Sequence, residues 1–212
     1  LQGVEPRAFA CIEAELGALG YAAHYAQKRA KPDGCATFVR QEIPVLDEQA
    51  LYFHDGQTGE NDSGHVALLL NVRGPGGRLG IANTHIKWDP PGKARAEQWG
   101  YRQASELLAR MASTASPTTP WVVCGDFNAV SDSDVIALFK AAGFVDAYRD
   151  HAQMFTCAPN RKAKRIDYVL HADSLISRPM ALPAITDATL LPSAGEPSDH
   201  IAIGVRLEQA GS

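Results

Sequence analysis

Short apolar runs of strand length recur along this sequence, and several of them touch a cluster of polar, chemically capable residues. The longest unbroken run is Val66 to Leu70. Between the runs lie segments whose apolar residues repeat at threes and fours. A chain patterned this way hides its apolar surface by laying strands side by side and covering them with helices, which is the α/β or α+β class. No run approaches the roughly 18 apolar residues that a membrane-crossing helix needs, so no membrane is expected.

Residues 6–19 carry Phe9, Ile12, Leu16 and Leu19 at helical spacing, and Gly20 is a natural stop. Cys35 to Arg40 reads as a strand, and Tyr52 to Gly64 as a polar loop. Val66 to Val72 and Leu79 to His85 read as two strands of a hairpin around Gly74-Pro75-Gly76-Gly77. Residues 93–112 form the strongest helix candidate, with Trp99, Ala104, Leu107, Leu108 and Met111 among charged residues. Residues 113–120 read as a Ser/Thr/Pro loop. Trp121 to Cys124 is a strand, Asp134 to Ala142 a short helix stopped by Gly143, and Ile166 to Leu170 a strand. Ile201 to Leu207 alternates like a last strand. No linker is long or polar enough to divide the chain, so residues 1–212 are expected to form one domain.

Four segments carry the chemistry: Asn83-Thr84-His85, Gly125-Asp126-Phe127-Asn128, Arg165-Ile166-Asp167-Tyr168 and Ser198-Asp199-His200. Each follows or opens an apolar strand, and strand ends converge at the rim of a sheet. Asp126 and Asp199 offer hard oxygen ligands suited to Mg²⁺. His85 and His200 can donate to phosphate oxygens or move a proton. Asp167 can hold His200 in one tautomer, and Asn128 can orient phosphate or water without adding charge. These parts fit metal-assisted phosphoester hydrolysis. Singly, each segment is more often a turn or a satisfied surface group; together they are much harder to dismiss.

A net charge of -4 argues against a large non-specific grip on nucleic acid, although a local basic patch stays possible. Arg161-Lys162-Ala163-Lys164-Arg165 is such a patch, readable either as a solvated loop or as a phosphate contact beside Asp167. Trp88 can stack on a base or pack in the core. Lys28, Arg29 and Lys31 read as an exposed turn. Four cysteines without a CxxC pair give neither a zinc framework nor a disulfide framework; buried reduced thiols fit a cytoplasmic location.

In this order the four segments resemble the successive active-site motifs of the endonuclease/exonuclease/phosphatase superfamily, the DNase I-like fold. Within it, Asp33-Gly34-Cys35-Ala36-Thr37-Phe38, the run Asn83 to Pro90, Arg102-Gln103 and Ser133 resemble the CCR4-type branch, which includes deadenylases, nocturnin and Angel proteins. The resemblance implies a four-layer sandwich of two packed mixed β-sheets flanked by helices. It implies that Asp126 positions or activates water beside Asn128, that His85 contacts a non-bridging phosphate oxygen, and that His200, oriented by Asp167, stabilises developing charge. Asp199 would sit at a Mg²⁺ or Mn²⁺ ion, Arg165 and Trp88 would face the substrate, and the substrate would be RNA, a nucleotide or another phosphoester.

Two departures bear on this. The family's Leu-Gln-Glu-Val motif supplies a metal-ligating glutamate, and here Leu1-Gln2-Gly3-Val4 places Gly3 at that position, with Glu5 as a substitute ligand if it shares the face of Gly3. The family's first strand, bearing an asparagine, would precede this motif, so the fold is expected to lack it. The resemblance therefore implies a metal-dependent phosphodiesterase or nuclease, such as a 3′–5′ exoribonuclease, with poor or no activity in this chain for want of the glutamate. A small-molecule phosphatase of the same fold and a non-catalytic binding module are the alternatives.

Overall fold

The computed structural model describes residues 1–114, 118–151 and 154–209. Its strands are β1 (Gln2–Val4), β2 (Tyr21–Gln27), β3 (Gly34–Arg40), β4 (Val45–Tyr52), β5 (Val66–Gly74), β6 (Gly77–His85), β7 (Trp121–Asp126), β8 (Phe144–Asp146), β9 (Asp167–Ala172), β10 (Leu175–Pro179) and β11 (Val205–Gln209). The helices are α1 (Pro6–Ala18), α2 (Trp99–Thr114) and α3 (Asp134–Ala141).

A six-stranded sheet ordered β4-β5-β6-β7-β9-β8 forms the centre. It is mixed, because β6 and β7 run parallel while the other neighbours are antiparallel. Strand alternation divides its residues between two faces. Val66, Leu68, Leu70 and Val72 of β5 point to one side and pack with Ala26, Cys35 and Val39 of the smaller sheet β1-β3-β2. Ala67 and Leu69 point to the other, against Ala104, Leu107 and Met111 of α2 and Ile136 and Phe139 of α3. Helix α1 covers the outer face of the smaller sheet through Phe9, which stacks on Tyr25 at 4.5 Å between ring centroids. Helix, sheet, sheet and helices make four layers, as the family resemblance implies. Truncating Leu68 or Leu70, both fully buried, to alanine would cost about 2–5 kcal/mol.

Several boundaries differ from the sequence reading. The helix expected over 93–112 starts at Trp99, because Asp89 folds back and accepts the Trp99 and Gly100 backbone N–H groups at 3.0 and 2.7 Å. Residues 115–117 of the expected 113–120 loop lie outside the described residues. The last strand begins at Val205 rather than Ile201, since the backbone N–H of Ile201 is committed to Thr156. Leu19 ends α1 exposed rather than buried. Strands β2 and β4 were not legible, being interrupted by His24 and by Asp47, Glu48 and Gln49. Among the described residues no helix is long and apolar enough to cross a membrane.

Candidate active site

Register places the site. His85 at the end of β6 lies opposite Asp126 of β7, and Asp126 lies opposite Asp167 of β9. The three side chains therefore form one row across three neighbouring strands. Alternation puts that row on the face turned toward the smaller sheet, together with Asn83. Gly125, just before Asp126, has φ +148, and a Cβ there would collide with the Thr84 carbonyl oxygen. Only glycine lets β7 run this close to β6 at the row.

His200 joins from the loop preceding β11. Its Nδ1 lies 3.0 and 2.9 Å from the two Asp167 oxygens, and its Nε2 lies 3.9 Å from Asp126 Oδ2. His85 Nε2 approaches the same Asp126 oxygen at 3.5 Å. Asn128, with a left-handed φ of 48, braces the row. Its backbone N–H donates to Asp126 Oδ1 at 2.8 Å and its amide donates to the Ile86 carbonyl at 3.0 Å. His85, Asp126, Asn128, Asp167 and His200 are thus brought together.

Directly opposed carboxylates repel, and a strand pair does not keep them without a reason. The protonation states follow from the surroundings. Burial and then the charge of Asp167 push the Asp126 carboxyl up to about 7, against the Asn128 backbone hydrogen bond. Burial would lower the His200 imidazole, yet the Asp167 hydrogen bond and the charges of Asp167, Asp126 and Asp199 raise it to about 9. Burial and then Lys28 push His85 down to about 4. Near neutral pH the row thus holds an imidazolium, a neutral imidazole and a carboxyl poised to ionise.

Lys28 corrects the expectation of an exposed turn. It is 5% exposed, pairs with Asp33 at 2.5 Å, and donates to His85 Nδ1 at 3.2 Å. An ammonium has no acceptor, so His85 Nδ1 is the acceptor and its proton sits on Nε2, facing Asp126. Arg29 stays exposed, over the Tyr52 ring at 4.4 Å. The available signal was Asp33, five residues after Lys28 across a hairpin.

Other braces had no role in the sequence reading, where Arg102-Gln103 stood out only by resemblance. Buried Gln103 donates to Asp55 and to Ser63, and accepts from the Lys87 backbone N–H at 2.8 Å, two residues beyond His85. Arg102 donates to the Asp55 carbonyl at 2.7 Å. The Arg102-Gln103 pair thus fastens the loop over residues 53–64, which begins after β4, to the strand end. His65 packs edge-on to His85 with ring centroids 6.0 Å apart, and Thr156 Oγ1 accepts from the backbone N–H groups of Ile166 and Asp167.

The remaining expected site residues lie outside this row. Arg165 is committed within the fold: its guanidinium grips both Asp146 oxygens at 2.7 and 2.6 Å and lies over the Tyr168 ring. It also walls a cleft of about 450 Å³ lined by Val130, Lys140, Arg149, Phe155 and Lys164, which none of the row residues lines. Trp88 is 55% exposed and belongs to no core. Asp199 contributes its charge to His200, and its carbonyl accepts from the Ala158 backbone N–H. Glu5 lies exposed at the start of α1, outside β1. Gly3 has φ +68, so the strand alternation that would put both residues on one face is broken.

The fold is thus a layered sheet sandwich with an acid–imidazole row at one rim. The family model of the Endonuclease/Exonuclease/phosphatase family matches residues 1–200, and this chain belongs to that family. Nocturnin of Xenopus laevis is 26% identical over 189 residues, covering 81% of this chain. The chain spans about half of that relative, 48% of its length. The human nocturnin catalytic domain with bound sulfate superposes with a TM-score of 0.80 at 23% identity, over 99% of this chain and 80% of that one. ANGEL2, a 2′,3′-cyclic phosphatase in complex with adenosine-2′,3′-vanadate, gives 0.81 at 21% identity, over 98% and 80%. The chain thus falls with the CCR4, nocturnin and Angel branch.

Proposed function

We propose that this chain hydrolyses phosphoester bonds of RNA ends or nucleotides by in-line attack of water. The observation that carries the reading is the register row His85, Asp126 and Asp167, completed by the His200–Asp167 hydrogen bond. Ionised Asp126 takes the proton of the attacking water. The imidazolium of His200, held by Asp167, faces the charge that builds on the phosphoryl oxygens. Neutral His85 donates through Nε2 to a non-bridging oxygen, and Lys28 fixes that tautomer. Exposed Trp88, three residues past His85, offers a platform for a base.

The donor set fits a hard divalent cation. Asp126 and Asp167 are buried, like-charged and opposed, so cationic charge at the row relieves their repulsion. Asp126 and Asp199 would hold Mg²⁺ or Mn²⁺, with water and substrate oxygens completing the set. When bound, the ion neutralises phosphate charge and lowers the barrier to water attack.

Purified chain is to be offered oligoadenylate, 2′,3′-cyclic nucleotides, nucleoside monophosphates and sugar phosphates, with Mg²⁺, Mn²⁺ or EDTA. Metal-dependent release of nucleotide or phosphate by wild type, lost in Asp126→Ala, supports the reading. No turnover of any compound by wild type or by Gly3→Glu overturns it and favours a binding module. Faster turnover of the sugar phosphates keeps the chemistry but moves the substrate to small molecules.

A further inference from the structure

The backbone sets a cysteine against the site. Cys157 and His200 are bridge partners, flanked by hydrogen bonds from Ile201 N–H to the Thr156 carbonyl and from Ala158 N–H to the Asp199 carbonyl. That is the non-hydrogen-bonded type of antiparallel pair, in which facing side chains lie closest, with Cα atoms about 4.5 Å apart. Cys157 Sγ, a His200 ring nitrogen and an Asp167 oxygen lie within 4.8 Å of one another. No other group of three such ligands meets this spacing among the described residues. Cys157 is fully buried and in no disulfide, and its thiol donates to the Lys164 carbonyl at 3.7 Å, which holds it beside His200.

We propose that Cys157, Asp167 and His200 form a binding site for a borderline-soft divalent cation of the Zn²⁺ class. Sulfur, imidazole nitrogen and one carboxylate oxygen are the donors such an ion takes, with water as a fourth ligand. Mg²⁺ has no use for sulfur and does not compete well at this set. Thiolate and carboxylate balance the charge of the ion. Binding forms S–Zn, N–Zn and O–Zn bonds in place of bonds from the ion to water, and it breaks the His200–Asp167 hydrogen bond and that of the Cys157 thiol to the Lys164 carbonyl. The Cys157 thiol proton and the proton shared by His200 and Asp167 leave to water; no electron moves. If the proposed hydrolytic function holds, the ion also withdraws His200 from the phosphate and arrests turnover, so the site is inhibitory.

The test reads binding without substrate. The full chain, free of metal, is titrated with Cd²⁺, a Zn²⁺ surrogate whose thiolate bond gives an ultraviolet charge-transfer band, and then with competing Zn²⁺. The band should appear with one equivalent, vanish on Zn²⁺ addition, resist a large excess of Mg²⁺, persist in Cys11→Ser and be absent in Cys157→Ser. Because serine in this buried position can impair folding, His200→Ala is titrated as well, and its Cd²⁺ affinity should fall more than about tenfold. No band in wild type, a band retained in Cys157→Ser, or unchanged affinity in His200→Ala would overturn the proposal. With an active substrate in hand, Zn²⁺ should inhibit wild type at least tenfold more strongly than Cys157→Ser; equal inhibition also counts against the site. Failure of the hydrolytic reading alone would leave the Cd²⁺ band in place.

Discussion

Replacing Asp167 by asparagine isolates the interaction that charges His200. In the folded chain the two Asp167 oxygens lie 3.0 and 2.9 Å from His200 Nδ1, and the imidazole is held up to about 9 although burial opposes it. Asparagine keeps the shape and one acceptor but removes the charge. The pair supplies the two largest upward contributions, so His200 should fall back to the ordinary histidine value of about 6.5 or below. At pH 8 the protonated fraction then drops from about nine-tenths to about 3%, a loss of roughly thirtyfold in the form that can face phosphate charge. Proton–nitrogen correlation spectra of the imidazoles, assigned with a His200→Gln control, measure this midpoint directly. The sign carries over to stability. A histidine whose folded value lies above its unfolded one adds stability that is complete below about 6.5 and disappears as pH rises through about 9. Thermal melts should therefore show Asp167→Asn less stable than wild type at pH 6 to 7, with the gap closing above pH 9. A His200 midpoint that stays near 9 in Asp167→Asn, or lies near 6.5 in wild type, would show that Asp167 does not charge His200.

Other expectations rest on the same geometry. The rate of wild type should follow a bell between about 7, where Asp126 ionises, and about 9, where His200 loses its proton; a profile flat across that window contradicts the assignment. Asp126→Asn should abolish turnover yet raise the melting temperature at pH 8, by about 2–4 °C per kcal/mol recovered, because a carboxyl pushed above its unfolded value withdraws stability as it ionises. A lower melting point would show Asp126 to be structural. Gly125→Ala should cost about 3 kcal/mol or more in chemical denaturation, since its Cβ would meet the Thr84 carbonyl at φ +148; a loss under about 1 kcal/mol contradicts the close approach. Gly3→Glu should tighten Mg²⁺ in calorimetric titration, as open space surrounds its Cβ, with about 1–2 kcal/mol of stability lost to the left-handed φ of +68; unchanged Mg²⁺ binding would refute it.

The central part of the fold was legible because it is simple in pattern. Val66 to Val72 and Leu79 to His85 alternate or run apolar to a glycine turn, and they form the β5–β6 hairpin. The strand ends at Asp126 and Asp167 were legible for the same reason, each closing or opening an apolar run. Residues whose role depends on a distant partner were not. Lys28 is buried only because Asp33 and His85 meet it there, and Arg165 serves as a brace only because Asp146, nineteen residues earlier, is folded beneath it. Strand β4 sits at the edge of its sheet, where polar Asp47, Glu48 and Gln49 are tolerated and the apolar signal is lost. Gln103 and Asp55 stood in view as helix and loop residues, yet their joint hold on Lys87 exists only across layers.

The role proposed for Asp126 is to direct water onto phosphorus within this row. The direct measurement is single-turnover cleavage of the best phosphoester substrate in heavy-oxygen water, analysed by mass spectrometry for wild type and Asp126→Ala. One heavy oxygen should enter the phosphate-bearing product, at a rate at least about a hundredfold lower in the variant. Label in the alcohol product, or equal rates in the two proteins, would contradict it.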